Sequence, residues 1–175
     1  MQKKFNFNCI DGNGKRFSIQ ITKDEVKKML NEIRIKEIND IVRDILNEDY
    51  PLAFALLGNR FEIVIEAISN DVLSFIDSNN LSEDDINLVT VLVKNFSNRI
   101  LNPYKEVKNG FFNDDKGCLT VDAWRTDDDS EEGCVVAEVY GDGTVKILNG
   151  DAYHSLAVLE AIKEILCDPF LQTIK

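Results

Sequence analysis

Histidine occurs once in this chain, at His154, and the four cysteines, Cys9, Cys118, Cys134 and Cys167, include no Cys-x-x-Cys pair. Such spacing gives no zinc signature, and no bound metal is expected. No segment approaches the ~20 consecutive apolar residues that a membrane-spanning helix needs. The first residues carry Lys3 and Lys4 with no apolar run behind them. The expectation is therefore a cytoplasmic protein off the membrane, its cysteines reduced and mostly buried. Gly12-Asn-Gly14 and Gly141-Asp-Gly143 lack the third glycine of a dinucleotide loop and the Gly-Lys-Ser/Thr of a phosphate loop. They read as turn glycines, and no cofactor is expected. Only three prolines interrupt the chain, and 44% hydrophobic with 29% charged residues lies far from the composition of disordered segments. A chain of 175 residues buries about 70% of its unfolded surface, enough to fold without staples.

Positive charge is scarce where negative charge is dense. Residues 1–43 hold ten Lys/Arg against six Asp/Glu, whereas residues 44–175 hold ten against twenty-five. The stretch Phe61–Val93 has seven carboxylates and no Lys or Arg, and Gly117–Val145 has eight with Arg125 as its one cation. Direct nucleic-acid binding gains from cation-rich surfaces that release counterions from phosphates. A net charge of −11 opposes it, and Glu25, Glu32, Glu37 and Asp40 interrupt the basic start.

Periodicity supplies the elements. Phe5, Phe7 and Cys9 answer Phe17, Ile19 and Ile21 across Asp11–Lys15, which is a hairpin pattern. Thr22 with Glu25 forms a capping box. Apolar residues from Val26 to Leu46 then predict one long helix, or two bent near Ile35, over roughly 23–47. Pro51 suits a first helical turn and Gly58 a stop, with short helices expected from Tyr50 to Asn80. Ser82 with Asp85 predicts the start of a helix that runs through Leu101. Asn102–Gly117 combines Pro103, Gly110, Asn113 to Asp115 and Gly117 with little periodicity, the best linker candidate. Cys118–Arg125, Cys134–Tyr140 and Thr144–Leu148 read as an antiparallel meander, and a helix capped by Asp151 carries Leu156 to Leu166 over one of its faces. The fold expected is α+β in one domain, 1–175: an N-terminal hairpin on a central helical layer, then a three-stranded meander and a helix, with 102–117 marking any lobe boundary.

The chemistry is sparse. In the loop Asp127–Glu132 the alternation of Asp127, Asp129 and Glu131, with Glu138 in the twelfth place, imitates a calcium loop. The sixth place is Glu132 where glycine is needed, and the flanks are strands. Asp122, Glu138 and Asp142 lie near one another on the meander, but a slip of one residue exchanges its faces, so register decides whether any two converge. His154 reads as a surface residue at a helix start. Trp124, Tyr140 and Phe111-Phe112 are either core or interface anchors.

These features lead to the expectation of a non-enzymatic acidic protein that binds and blocks a basic, nucleic-acid-handling partner, as anti-restriction, anti-CRISPR or toxin-immunity inhibitors do, with imitation of nucleic-acid charge as one means. Asp114, Asp115, Asp127, Asp128, Asp129, Glu131 and Glu132 would supply charge, helped by the carboxylates of Asp71–Asp85, and Trp124 or Tyr140 the anchor. The alternatives are a small carboxylate- or metal-dependent hydrolase, and a self-associating module paired through the Val26–Leu46 stripe. The expected state is a monomer or weak homodimer.

Overall fold

A computed structural model describes residues 4–127, 132–169 and 173. The chain forms two compact units, Met1–Asp40 and Ile41–Lys175, with the break inside one long helix.

In the first unit, β1 (Lys4–Ile10) pairs antiparallel with β2 (Arg16–Thr22), and Phe5 faces Ile21, Phe7 faces Ile19 and Cys9 faces Phe17. Because side chains alternate along a strand, all six share one face of the hairpin. The Asp11 carboxylate closes the turn by accepting from the backbone N–H groups of Asn13 and Lys15 at 2.9 and 2.8 Å. Gly14 supplies the positive φ there. Thr22 and Glu25 form the expected reciprocal cap: the Thr22 N–H donates to Glu25 at 2.7 Å, and the Glu25 N–H donates to the Thr22 hydroxyl at 3.2 Å. Helix α1 then runs unbroken over Lys23–Asp49.

The apolar stripe of α1 is not one stripe. At 100° per residue, Val26, Met29, Leu30 and Ile33 centre roughly 150° away from Ile38, Val42, Ile45 and Leu46. The second set is buried, whereas Met29, Leu30 and Ile33 are exposed.

The second unit takes up α1 from Ile41 and continues with α2 (Ala53–Leu57), a 3-10 turn (Gly58–Arg60), α3 (Phe61–Ser78) and α4 (Ile86–Leu101). Arg43 holds Glu62 with two hydrogen bonds of 2.6 and 2.9 Å, and Lys94 pairs with Asp49 at 3.0 Å, tying α1 to α3 and α4. The expected short helices appear as α2, which stops at Gly58, and the 3-10 turn, but from Phe61 onward a single helix of 18 residues, α3, forms. Its β-branched run Ile63–Ile65 is locally ambiguous, but Phe61, Val64, Ile65, Ile68, Val72, Leu73 and Ile76 are buried at helical spacing, and packing overrides local preference. Helix α4 starts later than Ser82: Asp85 is the cap, accepting from the N–H groups of Asn87 and Leu88.

The expected linker is largely a strand. Tyr104–Asn113 forms β3, the edge of a four-stranded antiparallel sheet in the order β3-β4-β5-β6, with β4 (Cys118–Arg125), β5 (Cys134–Tyr140) and β6 (Val145–Ile147) giving the expected meander. Register shifts at Tyr104/Glu106 and Asn109/Phe112 break the alternation that would have marked β3.

Helix α5 (Leu156–Cys167) covers one sheet face. Val158, Ala161, Ile162 and Ile165 pack with Tyr104, Val121, Ala123, Ala137 and Val139, each buried isoleucine contributing about 2 kcal/mol. The cap of α5 is Ser155, not Asp151, and a 3-10 turn over Gly150–Tyr153 precedes it, capped by Asn149. Among the cysteines Cys118 is buried and Cys9 half-buried, while Cys134 and Cys167 are exposed; all four are free. The expectation of mostly buried thiols fails for the last two.

Candidate interaction surface

The sheet face opposite α5 carries a grouping of polar and aromatic side chains. Alternation puts Glu106 and Lys108 of β3, Thr120, Asp122 and Trp124 of β4, Glu138 and Tyr140 of β5, and Lys146 of β6 on it. The pairings Glu106 with Trp124, Lys108 with Asp122, Thr120 with Glu138 and Glu138 with Lys146 fix their neighbours. A bulge at Val136, between the pairs Val121/Ala137 and Asp122/Val135, sets the register that brings Glu138 opposite Thr120.

At the centre Glu138 is buried, its side chain only 6% exposed, although it lies on the face that no helix covers. Lys116 reaches over from the β3–β4 turn to pair with it, and the Tyr140 hydroxyl donates to its other oxygen at 2.8 Å. Lys116 and Tyr140 together hold its carboxyl below the usual glutamate range, so it stays ionised. Lys146 stands 4.7 Å from the centre of the Tyr140 ring and donates to the Tyr140 oxygen at 3.2 Å. Lys108 stands 5.2 Å from the Trp124 ring centre and pairs with Glu106 at 2.7 Å. Burial pushes the Cys118 thiol up, and the charge of Glu138 adds to this.

These shifts run away from acid–base chemistry. Glu138 is fixed as an acceptor, Cys118 as a thiol and Lys116 as a cation, the last raised by Glu138. A general acid or base works best with a pKa near the operating pH. The register does bring Asp122 and Glu138 to one face, and Asp122 Oδ1 is buried without a partner among the described residues. Asp142 is elsewhere, in the β5–β6 turn, where it accepts from the Thr144 N–H at 2.8 Å. Among the described residues no group of three or more His, Cys, Asp or Glu is placed to hold a metal ion. His154 follows the 3-10 turn; its Nδ1 is buried without a partner among the described residues, and burial, reinforced by Arg60, lowers its pKa.

The expected partner-binding residues divide between the face and its two ends. Trp124 and Tyr140 lie on the face, half-buried, and the indole of Trp124 rests on Gly133, where a Cβ would come within 2.5 Å of the ring. Asp114 and Asp115 are exposed in the β3–β4 turn, and the meander puts the β5–β6 turn with Asp142 at the same end. Asp127 and Glu132 belong to the opposite end. Asp127 is bound twice by Arg125, at 2.7 and 3.0 Å, and Arg125 also pairs with Asp151. Asp128, Asp129 and Glu131 lie outside the described residues.

Phe111 stands out near Asp114 and Asp115. It sits in the irregularity of β3 and is 90% exposed, while Phe112 is half-buried. The sequence marks the Phe-Phe pair but not which ring is outward. Lys108, Lys116 and Lys146 gave no sequence signal at all, because their roles depend on cross-strand neighbours. No known protein family, curated protein or solved structure matches this chain.

Proposed function

We propose that this protein is a non-enzymatic acidic binding protein that docks on the basic surface of a nucleic-acid-handling partner and blocks it, in the manner of anti-restriction, anti-CRISPR or immunity-type inhibitors. The observation that carries this reading is Phe111, 90% exposed and next to the two exposed carboxylates of the β3–β4 turn. Large apolar rings are enriched in the cores of interfaces, and a carboxylate rim steers a cationic partner into register. The charge count supports the sign of the partner: residues 41–175 hold twenty-five Asp/Glu and eleven Lys/Arg, so carboxylates outnumber cations by more than two to one. On the neighbouring face, lysines and carboxylates balance. In this reading Trp124 and Tyr140 serve as secondary contacts and Phe111 as the anchor.

The test is capture on the immobilised protein with a salt gradient, then competition by duplex DNA. One basic nucleic-acid enzyme should bind stoichiometrically, leave as salt rises and be displaced by DNA. Phe111→Ala should then speed dissociation roughly 30-fold, the size of an interface hot spot. Asp114→Asn with Asp115→Asn should slow association and flatten its salt dependence. Capture that ignores salt and DNA would remove this reading.

A further inference from the structure

We infer that the N-terminal unit is a homodimer interface, in which the apolar face of the β1–β2 hairpin and the Val26–Ile33 stripe of α1 close on a second copy of this chain. The inference is independent of the proposed partner, which is assigned to the sheet of the second unit.

Two-stranded hairpins are marginal in water unless a further strand or a helix covers their apolar face. Here that face is three cross-strand pairs, Phe5 with Ile21, Phe7 with Ile19 and Cys9 with Phe17. Its phenylalanines and Ile19, together with Met29, Leu30 and Ile33 on α1, remain between 39% and 61% exposed. With a fully exposed large side chain at roughly 200 Å², these seven leave on the order of 600–700 Å² of apolar surface to water. A standard interface covers about 800 Å² on each partner, little more than half of it apolar. The hairpin face and the helix stripe supply about half of this apolar area each, and together they provide what one side of a stable dimer needs.

Charge selects the occupant. Residues 4–40 carry eight Lys/Arg and six Asp/Glu, so a contact made by this segment with its own copy joins two near-neutral surfaces. A basic partner gains nothing from this near-neutral, slightly cationic segment. A two-fold contact also needs a self-complementary patch, and a face of Phe, Ile and Cys9 that holds no Asp, Glu, Lys or Arg meets its own copy without like charges opposed. The stripe Val26, Met29, Leu30, Ile33 has the i, i+3, i+4, i+7 spacing by which helices pair.

The experiment is light scattering with size exclusion on the full chain across a concentration series, with hydrogen exchange measured at each end of the series. The wild type should approach twice the monomer mass of 19.9 kDa, and the amides of Lys4–Thr22 should gain protection as concentration rises while those of α3 and α5 do not. Phe7→Thr with Phe17→Thr, which keeps strand propensity, and separately Leu30→Gln with Ile33→Gln, which keeps helix propensity, should each halve the mass with unchanged far-ultraviolet dichroism. If the hairpin pair loses structure, the helix pair and the wild-type exchange decide. A strict monomer up to about 100 µM, where an association of micromolar Kd would be complete, overturns the inference. So does a dimer that the helix pair leaves intact with no change in hairpin exchange.

Discussion

Glu138 shows how a single carboxylate can be buried on the open side of a sheet. Its two oxygens are taken by Lys116 and by the Tyr140 hydroxyl, and the acidity this confers has a definite sign in stability. The folded pKa lies below the usual 4.5, so the ionised form favours the folded state. That contribution is complete above pH 4.5 and is lost as pH falls through the lowered folded value. Glu138→Gln, which keeps the shape and removes the charge, should lower the urea midpoint most at neutral pH, and the gap to wild type should close in acid. A gap of equal size at pH 7 and pH 3 would mean that the ion pair does nothing and only packing was disturbed. Tyr104 is the contrasting case on the other face. Its hydroxyl is buried without a partner among the described residues, and burial, helped by Asp151, pushes its pKa up to about 12. Nothing in that surrounding favours the phenolate.

Helix α4 owes its start to one side chain. Asp85 accepts from two backbone N–H groups that would otherwise lack a partner, at 3.1 and 3.2 Å, so Asp85→Ala should cost about 1 kcal/mol in a urea melt. A loss below ~0.2 kcal/mol would show that water satisfies those groups as well. The same element marks the limit of what its sequence reveals. Ser82 stands three residues before Asp85 and imitates a capping box, yet the Ser82 hydroxyl bonds with Asp84, because the carboxylate nearer the helix competes better. Where local chemistry decides, as at Thr22 with Glu25 or in the turn at Asp11, sequence and structure coincide. Strand β3 is hidden for a different reason, since its two irregularities shift Tyr104 into the core and Phe111 into water, and alternation is the signal they erase. The centre of the candidate surface is hidden more deeply still. That Lys116, Tyr140 and Lys146 gather about Glu138 follows from the register of three strands and one bulge, which no spacing within a single strand encodes.

For the whole molecule, charge and stability are coupled. A net charge of −11 opposes compaction through self-repulsion, and the repulsion is concentrated in residues 41–175. Opposing it are ion pairs such as Arg43 with Glu62, Lys94 with Asp49 and Arg125 with Asp127. The side chains in these pairs are between about one third and two thirds exposed, and solvent-accessible pairs contribute about 0–1 kcal/mol each. Salt weakens both effects, but unequally. Each pair is short-ranged, at hydrogen-bond distance, whereas repulsion among carboxylates spread over a domain acts across separations longer than the Debye length of about 8 Å at physiological ionic strength and is screened first. The repulsive side should therefore lose more. The thermal midpoint should rise by a few degrees between about 10 mM and 300 mM sodium chloride, where 1 kcal/mol corresponds to roughly 2–4 °C for a chain of this size. Sulfate would confuse the measurement by strengthening apolar burial on its own, which is why chloride is the salt to use. A midpoint that falls as chloride is added would show that the ion pairs outweigh the repulsion. In that case the carboxylate excess would not strain the fold, and its steering role toward a cationic partner would have to be established from association rates alone.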